Sequence, residues 1–389
     1  MARLPIALIV LALLGCSDEA PSGDAPRVGL WVLAEGSHRT LEDPERIETL
    51  ISDARRLRAT DLFVQVYRGG RSWFPSKAAD DSPYRQIREA NGLEPLTELL
   101  EQAHAHGLRV HAWFNALSLA RNRDAPILRE VGADAVLVDR RGRSLLDYPD
   151  FEVPEPDRAY LRMGTPHLWL DPAVQGVPEY LEQTVDDLLR AAPELDGLHL
   201  DFVRHPLALP LVPASRFDVG LDFGYGAGSR ERFEEQAGKP FQRGRSWDAF
   251  RRASVGELVR RLCARIGSER ACSAAVLPWA DRAYMTAMQD YRHWLEEGWL
   301  DFAVAMAYTH DDLLLRYVAR GLTGGVAGDR IWIGLGTWLF VEEVERARRQ
   351  IELVRASPTP GIVLFSYDAL ARAPEALRGL HGAFARETR

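Results

Sequence analysis

The sequence predicts an α/β protein, a single (β/α)8 TIM barrel with long loops after strands 3 and 4. Two observations carry this. Apolar, strand-like runs recur at 28–34, 61–67, 108–114, 197–203, 271–277, 300–308, 331–337 and 361–367, eight in all, and helical patterns separate most of them. Two connections, Asn115 to Val177 and Arg204 to Ser246, are much too long for simple strand-to-helix turns. Both follow strands, so both decorate the face where barrel enzymes place their chemistry. A doubly wound open sheet is the runner-up, but no G-x-G-x-x-G turn follows the first strand to support a nucleotide-binding version.

The punctuation between strands supports the elements in order. Asp43-Pro44-Glu45 reads as an N-cap, a proline at the first helical position and an acidic first turn, and that helix ends before Thr60-Asp61. Pro95 opens a helix that Gly107 closes just before L-R-V-H-A-W-F. Pro178 starts the helix ahead of the fourth strand, and Gly298 separates Trp294-Leu295 from the sixth. In the first long loop, D-A-V-L-V-D-R-R-G-R reads as a small hairpin. In the second, Gly220 to Gly228 is glycine-rich and aromatic, as a lid would be.

The N-terminus predicts a compartment. Arg3 precedes an apolar run, Leu4 to Leu14, too short to span a bilayer as a helix, and then Gly15-Cys16. L-L-G-C is similar to a bacterial lipoprotein lipobox, which implies cleavage before Cys16 and a lipid on its sulfur. The expected division is a lipoprotein signal peptide at 1–15, a lipidated tether at 16–27 and a barrel at 28–389. The barrel is then extracytoplasmic and membrane-anchored, on the outer membrane if the host has two membranes. The net charge of −8 and the lack of basic runs argue against nucleic acid as a partner. Cys263 and Cys272 are the cysteines left after Cys16; they either close a short disulfide or stay as buried thiols. Nothing in the sequence fixes the oligomeric state.

The C-terminal ends of the strands carry Glu35; Tyr67, Arg68, Arg71 and Trp73; His111, Trp113 and Asn115; His199, Asp201 and Arg204; Trp279; Tyr308 and Asp311; Trp338; and Tyr367. Flat aromatic faces among carboxylates, amides and arginines suit a sugar ring, whose C–H faces stack while its hydroxyls hydrogen-bond. Glycoside cleavage needs two carboxyl groups, one ionised and one protonated. Asp201, in D-G-L-H-L-D-F-V-R-H-P, is expected to be the ionised one, with Arg204 and the nearby histidines holding it down. Glu35 and Asp311 rank level as the acid, ahead of Asp281. No cofactor or metal is expected.

These segments resemble the family 10-like glycosyl hydrolases, a bacterial barrel family with lipoprotein members. The resemblance rests on R-V-G-L-W-V, P-L-T-E-L-L-E-Q-A-H-A-H-G-L-R-V-H-A-W-F-N, W-L-D-P-A-V-Q-G-V-P-E-Y-L, D-G-L-H-L-D-F-V-R-H-P, Q-D-Y-R-H-W-L-E-E-G-W-L-D-F-A-V-A-M-A-Y and G-I-V-L-F-S-Y, in that order. It implies a (β/α)8 barrel acting on glycans, peptidoglycan strands among them, and matches His111, Trp113, Asn115, Asp201 and Tyr308 to recurring positions. The leading expectation is therefore a lipid-anchored glycoside hydrolase of envelope or extracellular polysaccharide. The chain lacks a Glu at Val203 and on the fifth strand, where similar barrels carry their acid. That motivates a non-catalytic glycan-binding alternative. A metal-dependent hydrolase or deacetylase using His111, His199, Asp201, His205 and His310 ranks third.

Overall fold

The computed structural model describes residues 26–211 and 221–384. Eight parallel strands form the barrel: β1 (Arg27–Val32), β2 (Asp61–Arg68), β3 (Arg109–Asn115), β4 (Gly197–Asp201), β5 (Ala271–Val276), β6 (Phe302–Met306), β7 (Ile331–Gly336) and β8 (Gly361–Phe365). Each pairs with its neighbour in order, and β1 pairs with both β2 and β8, which closes the sheet. A helix follows each strand: α1 (Pro44–Arg56), α2 (Pro95–Ala105), α3 (Gly176–Ala191), α4 (Arg245–Arg265), α5 (Tyr291–Glu296), α6 (Asp312–Thr323), α7 (Val344–Arg355) and α8 (Pro374–Leu380). The alternation read from the sequence is thus a (β/α)8 barrel. The leader, Cys16 and the tether up to residue 25 lie outside the described residues; Arg27, expected at the tether's end, already belongs to β1.

Alternate strand residues face outward onto the helices or inward onto one another. The inward set is aromatic: Trp31, Phe63, Trp113, Phe302 and Trp332 fill the barrel with Val304, Val363 and Ala275. Glycine on a neighbouring strand makes room for inward rings. A Cβ on Gly361 would come within 2.1 Å of the Trp332 ring, and one on Gly197 within 2.3 Å of His111 Nδ1. At the N-terminal end, Asp61 plugs the barrel. It binds Arg27, accepts from Thr60 Oγ1 at 2.6 Å, and lies 2.9 Å from His111 Nε2 and 3.3 Å from Arg109 Nε. Burial alone would raise the Asp61 carboxyl, but the hydrogen bond and charge of His111, with Thr60 and Arg27, hold it below its usual range.

The two long loops are built onto each other. Leu161–Met163 pairs antiparallel with Ala208–Pro210. The D-A-V-L-V-D-R-R-G-R segment is a hairpin turn in which Val138 bridges Ser144. Its Asp139 accepts from Arg143 Nε at 2.7 Å and Tyr148 Oη at 2.8 Å. The segment expected to be a lid is packed down where it is described, from Leu221 on. Phe223 and Tyr225 are buried, Phe223 bridges Asp139, and Gly224, at φ +90°, lies against His205. Two large rings that need burial hold it there. Cys263 at the end of α4 and Cys272 in β5 form a disulfide, their Cα atoms 5.6 Å apart.

Candidate active site

β4 ends at Asp201, which lies beside Asn115 of β3 in the parallel register. The chain then leaves the strand through Phe202, a non-glycine residue at φ +56°. A left-handed residue costs about 1–2 kcal/mol. The turn points the Phe202 N–H back at Asp201, 2.6 Å from Oδ1, while Trp113 Nε1 donates to Oδ2 at 3.1 Å. Asp201 is 6% exposed. Burial pushes its carboxyl up to about 6, outweighing the Phe202 N–H, the Arg204 charge and the Trp113 indole. This corrects the expectation of a low, firmly ionised carboxylate: Arg204 forms no ion pair with Asp201, so desolvation wins.

Under the carboxyl lies an ordered layer. The Trp31 indole donates to His199 Nε2 at 3.1 Å, and His199 Nδ1 lies 2.8 Å from Ser273 Oγ. Burial drives the His199 imidazole well below its usual range, so it is neutral. Since Nε2 accepts, Nδ1 carries the proton and donates to Ser273. Beside Asp201, Tyr308 stacks on Phe365 with centroids 5.4 Å apart. Burial and the neighbouring Asp201 carboxylate raise its phenol. The Gln65 amide donates to Asn115 Oδ1 at 3.4 Å. Asp201, Trp113, Asn115 and Tyr308 thus meet at the C-terminal end of the barrel.

Other predicted residues fall elsewhere. His111 lies low in the barrel on Asp61, and His199 is interior, both of its nitrogens engaged. Tyr67 shares sequence parity with the inward Phe63 and Gln65, but the pairing slips between Gln65 and Tyr67. Its ring turns outward onto Phe114, centroids 4.2 Å apart. Tyr367 is fully buried and donates to Asp53 Oδ2 of α1 at 3.1 Å. Trp73 is buried beneath Arg71, so it offers no open stacking face. Glu35 is gripped by Arg68 and Arg71, one on each oxygen, and presents no free carboxyl to a leaving group. Asp311 is exposed and caps α6, accepting from Leu313 N at 2.9 Å and Leu314 N at 3.0 Å. Asp281 is exposed as well. His205 lies under Gly224, and His310 is exposed against Phe340, so the histidines of the metal reading do not converge. Trp279 and Trp338, 41% and 48% exposed, stand on the rim, with the Arg282 guanidinium 5.3 Å from the Trp279 ring centroid. Sequence reasoning missed Trp31, Phe202 and the His167–Trp169 segment, which the long loop after β3 folds back against Phe202.

The model of the family described as glycosyl hydrolase-like 10 matches residues 27–313. Glycosyl hydrolase DigH of Escherichia coli strain K12 is 23% identical over 442 aligned positions, covering 95% of this chain and 93% of the relative. Glycosyl hydrolase YngK of Bacillus subtilis strain 168 is 22% identical over 288, covering 69% and 49%. Among solved structures, the catalytic domain of beta-amylase from Paenibacillus polymyxa superposes with TM-score 0.56 at 10% identity, covering 90% of this chain and 94% of that one. Alpha-L-fucosidase isoenzyme 2 from Paenibacillus thiaminolyticus gives 0.55 at 11%, covering 93% and 49%. At those identities the superpositions speak for the barrel alone. The family match spans most of the barrel, and the chain belongs to the glycosyl hydrolase-like 10 family.

Proposed function

We propose that this protein is a lipid-anchored, extracytoplasmic glycoside hydrolase of envelope or extracellular polysaccharide, with peptidoglycan glycan strands the favoured substrate. Asp201 is the carboxyl that gives a proton to the glycosidic oxygen. The observation that carries this is a buried Asp201 at the end of β4, fixed by Trp113 and Phe202 and raised to about 6. A carboxyl so raised keeps part of its proton near neutrality, which the acid of a glycosidase requires. Trp279 and Trp338 stack sugar rings along the rim, and Asn115 and Tyr308 hold hydroxyls beside the acid. The disulfide suits an oxidising compartment, and the apolar leader with L-L-G-C suits a lipid anchor.

A non-catalytic glycan-binding protein is the second reading. It is favoured because Glu35 and Asp311, the carboxylates ranked as partners for Asp201, are committed to Arg68 and Arg71 and to a helix cap. The deciding experiment is reducing-end release by the lipid-free protein (Ser17 onward) from de-peptidised peptidoglycan strands, with Asp201→Asn beside it. Release by the parent and none by the variant supports the hydrolase. Retarded migration in a glycan gel without any release moves the conclusion to the binding protein.

A further inference from the structure

Arg204 is a buried guanidinium that feels the charge of Asp201 but makes no ion pair with it. It is 8% exposed, its Nη1 donates to the His205 carbonyl at 3.3 Å, and its Nε is buried with no partner. Among the described residues no carboxylate lies within ion-pair distance of it. The contrast with Arg251 is direct. That side chain, 3% exposed, binds Asp222 at 3.0 Å and Asp248 at 2.6 Å. Leaving a guanidinium buried and unpaired is costly unless something else supplies the anion.

Aromatic rings surround Arg204. Its guanidinium lies 4.9 Å from the centroid of Trp169 and 5.3 Å from that of Phe202, the residue whose N–H holds Asp201. The His167 ring completes this wall, 5.8 Å from Phe202 and 6.4 Å from Trp169, with Nδ1 2.8 Å from Ser118 Oγ. Burial first, then the charges of Arg68, Arg204 and Arg121, pull the His167 imidazole down to about 4. Three cations therefore bear on one neutral ring. Trp279 follows β5, the strand next to β4, and Trp338 follows β7; both rings are exposed.

We propose that Arg204, backed by Trp169 and Phe202, is the centre of a subsite for a carboxylate carried by the sugar next to the scissile bond. The flat guanidinium fork matches a carboxylate in two parallel hydrogen bonds, and the rings behind it fix its plane. The substrate class is then an acidic glycan. This rests on the glycan reading above. The carboxylate belongs either to the sugar ring, as in a uronate, or to an ether substituent, as on the muramic sugar of peptidoglycan.

Binding is measured by calorimetry and gel retardation with four probes: de-peptidised peptidoglycan strands, the same strands after reduction of their carboxyls to alcohols, oligogalacturonate, and neutral chitohexaose. The parent is expected to bind the acidic strands roughly tenfold or more tighter than the reduced ones, as a charge-assisted hydrogen bond provides. Arg204→Gln brings that ratio close to one, and Arg204→Lys keeps part of it. A stronger preference for oligogalacturonate supports the subsite and assigns a ring carboxylate. Should Arg204→Gln fail to fold, the parent ratio and Arg204→Lys decide. Equal binding of native and reduced strands, with reducing ends released from both, overturns the subsite and leaves the hydrolase intact. No binding and no release with any probe overturns both.

Discussion

Asp201→Asn tests whether the site is a place of stored electrostatic cost. In the unfolded chain the carboxyl titrates near 3.8; in the barrel it titrates near 6. Between those values the folded protein holds a proton that the unfolded chain has released. Stability therefore falls as pH rises through this window and levels off above it. The rise from 3.8 to about 6 corresponds to roughly 3 kcal/mol over the whole window. Asparagine carries no such charge. The Trp113 and Phe202 N–H groups face both oxygens, so the new amide loses one hydrogen bond, a penalty that does not change with pH. The quantity to follow is thus the difference in unfolding free energy between variant and parent, by urea titration at pH 4 and at pH 7.5. It is expected to move by about 2–2.5 kcal/mol in favour of the variant as pH rises, while glycan cleavage is lost. A difference that stays flat between the two pH values would mean that Asp201 titrates alike folded and unfolded. It would refute the assignment of the proton donor.

Three other outcomes are expected. Asp61→Asn leaves His111 and two arginines without their shared carboxylate and costs about 3 kcal/mol, the low end for a buried pair because Arg27 and Arg109 reach solvent. The folded Asp61 value is depressed, so its contribution is complete above the unfolded value of 3.8 and fades as pH falls through the folded one; denaturation at pH 7 and pH 3 checks this, the two proteins converging in acid. Asp311→Ala removes a cap from α6 and lowers stability by about 1 kcal/mol, with glycan release at the parental rate by the reducing-end assay. Replacing Cys263 and Cys272 by serine opens a link between positions nine apart and lowers stability by about 2–3 kcal/mol, read as a lower melting temperature that reductant no longer affects.

The barrel was legible because burial on both faces leaves a run of apolar residues at every strand, and all eight runs fall on strands. The site was legible where parity held. Trp113, Asp201 and Tyr308 follow the inward alternation of β3, β4 and β6 to the mouth. Parity failed at Tyr67, where a slip in pairing after Gln65 reverses the direction of the ring. Depth failed at His111 and His199, because alternation tells inward from outward but not top from bottom. Two charges misled for different reasons. Glu35 and Asp311 follow strands as an acid would, but their partners, Arg68 with Arg71 and the first turn of α6, consume them. The Arg204 environment was hidden because Trp169 reaches it through a long loop, a contact that no local pattern encodes.

The hydrogen bonds from Trp31 to His199 and on to Ser273 have a kinetic side. Both imidazole nitrogens are occupied and the ring stays neutral, so His199 neither accepts nor hands on a proton beneath Asp201. A proton exchanging with that carboxyl from the C-terminal end of the barrel shares the path a substrate would take. A glycan lying across the rim would close this path and freeze Asp201 in whichever state it held on arrival. Productive encounters would then be sorted at the moment of capture: chains meeting the protonated form proceed, and chains meeting the ionised form must leave before the site can recharge.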